Sequence, residues 1–258
     1  MGKHFLNGAA LAAVVLLALA LAPMRAVGAA DDAGALVRKA MDALPKNTFT
    51  AKLKLTPSSQ PPRDLRLEHK VVGGARASYL EVTAPEALSG IRFLFLEHPT
   101  GQPEQYIKIA AARNAVQVKD QVRKQPFLES DFYVSDLVEP QVDAYEYKFV
   151  GDEELLGRKT KLVESVPKDS AAEIYGKTVI AIDPEDALIL KRSFYDLKGN
   201  LLKVWTIDQV EKVDGVWTFR KQTMTTVPAK TSSTLETPEV KYDVELTDSV
   251  FTPEHLRR

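Results

Sequence analysis

The sequence predicts a mainly β (α+β) fold, a curved antiparallel sheet forming an incomplete barrel around an N-terminal helix and a short mid-chain helical plug. Three observations carry this. From Thr48 onward most of the chain alternates apolar and polar residues with a period of two, in segments joined by short turns. One such segment, Ile91–Leu96, is apolar on both sides, with Phe93 and Phe95 opposed to Leu94 and Leu96, so both of its faces must be covered. The third is a break. Pro126–Leu137 interrupts the strand pattern yet carries Phe127, Leu128, Phe132, Tyr133, Val134 and Leu137, more apolar bulk than a surface loop holds. Ser130-Asp131 and Ser135-Asp136 supply capping or turn chemistry there, so it reads as a loop plus short helix tucked into the concave side.

Taken in order, Asp31–Leu44 is expected to be a helix. Asp31 and Asp32 sit at its start, Leu36, Val37, Ala40, Met41 and Leu44 form one stripe, and Pro45 stops it. Thr48–Leu55 and Leu65–Val72 alternate cleanly, the Pro57–Pro62 cluster between them being a loop. Gly73-Gly74 turns the chain into Ala75–Val82. After Ile91–Leu96 come Gln105–Ile109 and Ala115–Val118, shorter strands. Beyond the break, Asp143–Val150, Lys159–Val166, Thr178–Asp183, Ile189–Asp196, Asn200–Asp208 and Val216–Thr226 resume the pattern, with hairpins at Leu197-Lys198-Gly199 and Asp214-Gly215. The Thr- and Ser-rich Lys230–Pro238 reads as a polar excursion, a loop or edge strand, before a last strand near Val240–Thr247 with Val240, Tyr242, Val244 and Leu246 inward. About ten or eleven strands with short turns imply an antiparallel meander.

Composition narrows the class. The 258 residues are 45% hydrophobic and 27% charged, as in an ordinary globular chain. Lys3, an apolar run from Ala9 to Ala22 and the small residues Ala26, Gly28, Ala29 and Ala30 form a secretory signal peptide over residues 1–30, cleaved near 28–30. The run is too short to span a membrane comfortably, and Pro23 and Arg25 end it. Residues 31–258 then form a single domain. Without the two basic residues of the leader, 32 basic side chains face 35 acidic ones, a net of −3 that points to no nucleic acid and no polybasic membrane dock. No cysteine is present, which excludes a lipid-anchoring cysteine, disulfides and thiolate chemistry. The expected location is the periplasm, as a soluble, unanchored protein.

The residues offer no catalytic set. His69, His98 and His255 stand outside metal-ligand spacing of one another, and His69 on the apolar face of a strand is a packing residue. No Gly-x-Ser-x-Gly elbow, P-loop or Gly-x-Gly-x-x-Gly occurs. Asp183, Glu185 and Asp186 lack the alternation and glycine of a calcium loop, and a Pro184-containing turn accounts for them better. No enzyme and no cofactor are expected. What the strands offer is surplus apolar surface, which suits a binder of hydrophobic ligands; strands of this length span roughly 25–30 Å. Burying about fourteen methylenes contributes on the order of 11 kcal/mol gross. The other reading of Phe93, Phe95, Phe127 and Phe132 is plain core.

The order of short motifs resembles the LolA-like family of outer-membrane lipoprotein-sorting proteins. The residues that carry it are Phe127-Leu128-x-Ser130-Asp131-Phe132, Asp136-Leu137, Tyr175-Gly176-Lys177, Ile182-Asp183, Leu190-Lys191, Phe194-Tyr195-Asp196, Gly199, Leu202-Lys203, Asp214-Gly215-x-Trp217, Met224, Lys230-Thr231 and a closing Phe251–Leu256. Glu129 stands where the pattern has Gly, and Lys108-Ile109-Ala110 replaces its Leu-Pro. The resemblance implies a half-open antiparallel barrel with a helical plug and a carrier of lipid or lipoprotein acyl chains. Phe93, Phe95, Phe127, Leu128, Phe132, Tyr133, Leu137 and Trp205 are then the expected ligand contacts, and Arg66 and Arg76 are both candidates for the family's ligand-contacting arginine. The expected partners are those acyl chains and an inner-membrane transporter, with the protein a monomer. The alternative is an interaction module that docks on an inner-membrane export pump through Lys230–Pro238 and carries no ligand.

Overall fold

A computed structural model describes residues 27–169 and 174–257. The expected signal peptide lies outside these residues except for its last four positions, which already belong to helix α1 (Val27–Asp42). Thirteen strands follow: β1 (Phe49–Pro57), β2 (Arg63–Val72), β3 (Ala75–Ala84), β4 (Arg92–Glu97), β5 (Glu104–Lys108), β6 (Val116–Gln117), β7 (Tyr145–Leu155), β8 (Arg158–Pro167), β9 (Lys177–Asp183), β10 (Leu188–Tyr195), β11 (Leu201–Val213), β12 (Val216–Thr226) and β13 (Thr231–Tyr242). They form one antiparallel sheet in the order β6-β5-β4-β3-β2-β1-β13-β12-β11-β10-β9-β8-β7. The first and last strands therefore pair at the centre, Ala51 opposite Val240 and Leu55 opposite Leu235. The sheet does not close: β6 and β7 are its two free edges.

That order dictates what lies on the sheet. β6 and β7 are consecutive in sequence but sit at opposite edges, so residues 118–144 must travel the full width between them. They do so across one face, carrying Phe127, Phe132 and Val134 onto Leu53, Leu65, Leu80, Phe93, Phe95 and Met224. Helix α1 covers the other end of the same face, with Ala33, Val37 and Ala40 against Val163, Ile180, Ile182 and Ile189. The doubly apolar strand is covered twice, as its sequence requires. Phe93 and Phe95 meet the mid-chain segment, while Leu94 on the reverse face packs with Ala77 and Tyr79 under Phe251 and Leu256 of the C-terminal turns.

Two expectations are corrected. The mid-chain break is not an α-helix. It is a run of short 3-10 turns, Phe127–Glu129 and Val134–Leu137, after a single α-turn at Asp120–Arg123. Leu128 and Glu129 adopt φ of 49° and 60°, a left-handed pair that cannot propagate a right-handed helix. The second correction concerns Lys230–Pro238. It is neither a loop nor an edge, because β13 begins at Thr231 and lies between β12 and β1. Its hydroxyls fit an interior strand because partners reach them. Ser233, fully buried, donates to Asp131 Oδ2 at 2.7 Å, and Thr231 donates to Oδ1 at 2.5 Å.

Candidate functional site: an apolar cavity under two covering segments

The two covers leave a gap. Between the end of α1 and the segment Phe132–Glu139, over β10–β13, β1 and β2, lies a cavity of about 340 Å³. Its walls are Ala40 and Leu44 from the helix end, Phe49, Ala51, Leu53 and Leu67 from β1 and β2, and Phe132 and Leu137 from the mid-chain segment. Ile189, Phe194, Trp205, Met224, Leu235 and Val240 complete it from the later strands. Phe49, Leu67, Trp205, Leu235 and Val240 are only half-buried, so the cavity is open to solvent. Among the described residues three charged side chains reach it, Asp136, Glu139 and Arg192. A smaller cavity of about 110 Å³ lies across the strap 135–142, against Val37, Met41, Tyr147 and Tyr175.

Of the residues expected to contact ligand, Phe132, Leu137 and Trp205 line the larger cavity. Phe93, Phe95, Phe127 and Leu128 pack in the adjoining core, Phe93 with its ring centre 4.8 Å from that of Phe127. Tyr133 turns away, its ring stacked near Tyr175 and capped by Lys203 Nζ at 2.9 Å from the ring centre. Of the two candidate arginines, Arg66 is on the outer face with Glu68 and Glu81, whereas Arg76 binds Glu97 and shares its side of β3 with Leu80 and Val82.

The mid-chain segment is fastened by charge. Lys203, 1% exposed, donates to the Asp131 carbonyl at 2.6 Å and to Asp136 Oδ2 at 3.2 Å. Asp136 also accepts from the Tyr175 hydroxyl at 2.7 Å and from the Tyr133 N–H at 2.8 Å. Burial, against the pull of Asp136, lowers the Lys203 pKa, and burial with Asp136 pushes the Tyr175 phenol up. A second anchor sits further along: Arg192 donates to Glu139 Oε2 at 2.5 Å, and the Glu139 N–H donates to Glu97 Oε2 at 3.1 Å. Burial raises the Glu97 carboxyl to about 7 against the pull of Arg76, with Glu139 adding to the rise. His69 is fully buried, its Nδ1 2.9 Å from Ser78 Oγ, and burial followed by Arg76 lowers it to about 4.

In the sequence Asp131 and Asp136 read as capping or turn residues, and Asp131, Asp136, Tyr175 and Lys203 as scattered motif residues; folded, they form one network. Lys203 was detectable, since a lysine in register with Trp205 and Ile207 on a strand must find a buried partner. Gly176 also has a physical reason: a Cβ there would stand 2.7 Å from the Asp196 carbonyl oxygen. Glu129, in place of the pattern's glycine, keeps the left-handed turn and gains Arg63, which is 2% exposed and donates to Glu129 Oε2 at 2.6 Å. The acidic turn after β9 is held by Arg158, bonded to both Asp183 and Asp186.

An open antiparallel sheet that shelters an apolar cavity beneath two anchored segments has the build of a half-barrel. A family model described as "Uncharacterized protein" matches residues 74–258. A domain described as an outer membrane lipoprotein-sorting protein from Vibrio parahaemolyticus is similar in structure, with a TM-score of 0.82, 23% identity, and coverage of 89% of this chain and 100% of that one. A DUF1329 family protein from Desulfovibrio piger superposes with a TM-score of 0.81 at 19% identity, over 88% of this chain and 99% of that one. A LolA superfamily protein from Nitrosomonas europaea gives 0.65 at 16% identity, over 86% and 98%. No curated protein matches in sequence. The chain belongs to the family whose model matches residues 74–258, and it shares its fold with LolA-superfamily proteins. Among the described residues no helix is long and apolar enough to cross a membrane.

Proposed function

We propose that this protein is a periplasmic carrier that takes lipid, or the acyl chains of lipoproteins, into the cavity and moves them towards the outer membrane. In this reading residues 1–30 are the export signal, residues 31–258 are the carrier domain, and no reaction is catalysed. The observation that carries the reading is the cavity itself. At about 340 Å³ it is large enough for a ligand site, its lining is mostly apolar, and it is open to solvent. Apolar surface of this extent facing water is costly unless something covers it. Phe132, Leu137 and Trp205 touch the bound chain. Phe93, Phe95, Phe127, Leu128 and Tyr133 support it from behind, and the segment Pro126–Leu137 acts as the plug over the concave face.

The docking-module alternative loses its contact point, since Lys230–Pro238 is mostly interior strand hydrogen-bonded on both sides. The carrier reading is tested by filling the cavity. Leu235→Trp, at a half-buried lining position, is expected to lower uptake of a fluorescent fatty acid at least about tenfold while thermal unfolding stays cooperative. Unchanged uptake would remove the cavity from the account. Native mass spectrometry of gently purified protein provides the second check, with co-purifying lipid expected.

A further inference from the structure

Among the described residues that line the larger cavity Arg192 is the one cation, and it also borders the smaller one. It projects from the middle of β10, which pairs with β9 and β11 on its two sides. Its side chain is 13% exposed. One arm of the guanidinium holds Glu139, and its Cζ lies 5.6 Å from the centre of the Trp205 ring. Its Nε is buried and has no hydrogen-bond partner. A buried charged donor without an acceptor is expensive, and an arginine fork fits a planar carboxylate or a phosphate.

The neighbouring carboxylates are already matched: Glu97 by Arg76, Asp136 by Lys203. Glu139 is different. Its side chain is more exposed than that of Arg192, and the strap that bears it stays tied through the Glu139 N–H to Glu97 and through Gln141 to the His98 carbonyl. The Glu139 carboxylate can thus swing to water without releasing the strap, leaving the whole fork free at the inner end of the apolar cavity.

We infer that Arg192 is a head-group site, and that the preferred ligand is an amphiphile with a carboxylate or phosphate at the end of its hydrocarbon chain. The anion takes Nε and then the arm vacated by Glu139, and the chain lies along Phe49, Leu67, Leu235 and Val240. This rests on the carrier reading and sharpens it from any acyl chain to an anionic one.

The test uses three probes with the same chain, palmitate, hexadecyl phosphate and hexadecanol, below their aggregation concentrations, with tryptophan fluorescence as the readout. The wild type is expected to bind one or both anions about tenfold more tightly than the alcohol. The better anion tells a fatty-acid source from a phosphate head. Arg192→Gln abolishes the preference, bringing the anions to the affinity of the alcohol. Glu139→Gln, which removes the internal competitor, increases it. The double variant Arg192→Gln/Glu139→Gln, free of an unpaired charge, repeats the loss if the single variant folds poorly. Equal binding of all three probes overturns the head-group site alone, as does a preference that survives Arg192→Gln. Uptake of none overturns this site and the carrier reading together.

Discussion

Glu97 and His69 face the same side of the sheet, both feel Arg76, and burial shifts each towards its neutral form, which gives a pH signature that can be worked out in advance. Glu97 moves from its ordinary 4.5 to about 7. Between those values the unfolded chain has released a proton that the folded protein keeps, so stability falls as pH rises, by about 3 kcal/mol across the interval. His69 moves from 6.5 to about 4. There the unfolded chain binds a proton that the folded protein excludes, so stability rises with pH, again by about 3 kcal/mol. The two slopes oppose each other between about pH 4.5 and 6.5, and the wild type hides both. Glu97→Gln and His69→Gln separate them. Relative to wild type, the Glu97→Gln protein should match at about pH 4 and be more stable by about 3 kcal/mol at about pH 8. The wild type's advantage over His69→Gln should grow by a similar amount from about pH 4 to pH 7. Urea unfolding at a series of pH values gives both differences, and carboxylates common to each pair of proteins cancel. Profiles that run parallel to wild type would refute the assignment of neutral, burial-shifted groups at these two positions.

Two further outcomes follow from the anchors of the mid-chain segment. Glu129→Gly and Glu129→Ala both lose the Arg63 ion pair but differ at a φ of 60°, so the glycine variant should be about 1 kcal/mol the more stable in urea unfolding. Lys203→Met leaves the Asp136 carboxylate buried with only Tyr175 and the Tyr133 N–H, and should cost about 3 kcal/mol. Adding Asp136→Asn should recover most of that loss, and a double variant as unstable as the single one would mean the charge is not what matters.

The strands were legible because alternation survives wherever one face is wet and the other dry. Lys52 and Lys54 against Ala51, Leu53 and Leu55 leave no other register. β13 was misread because Thr and Ser suit both polar loops and interior strands, and what decides between them, Asp131, lies 102 residues from Ser233. The mid-chain segment's apolar load showed that it is covered. Its conformation did not show, because Glu129 in the left-handed pair takes its partner from Arg63, 66 residues away. The cavity was half legible. Trp205 and Phe132 belong to it, but Phe93 and Phe95 have the same composition and lie in solid core. Apolar character marks the concave face and cannot say where that face is left uncovered. Arg192 carried the same signal as Lys203, a charged residue in register with apolar Leu190 and Phe194 on a strand, but nothing in the sequence said which partner it meets.

Where the gap falls is a matter of topology. Pairing β1 with β13 places the chain's ends at the sheet centre and its two middle strands at the edges. Twelve inter-strand spacings amount to roughly 58 Å if laid flat. Residues 118–144 can reach about 90 Å when extended, so the crossing has slack, and that slack is taken up in the 3-10 turns that carry Phe127, Phe132 and Val134 into the core. Helix α1 precedes central β1 yet packs on β7 and β9, so it crosses the same face from the middle outward. Two segments that cross one concave surface from different starting points cannot tile it, because their backbones must be kept apart by side chains of finite size. The space left between them opens over the central strands β10–β13 and β1, where Trp205, Leu235 and Val240 remain half-exposed. Its edges are set by the Lys203–Asp136 and Arg192–Glu139 pairs, which hold the crossing strap in place. Loosening the second pair alone would join the larger cavity to the smaller one beyond the strap, since Asp136, Glu139, Arg192 and Phe194 border both.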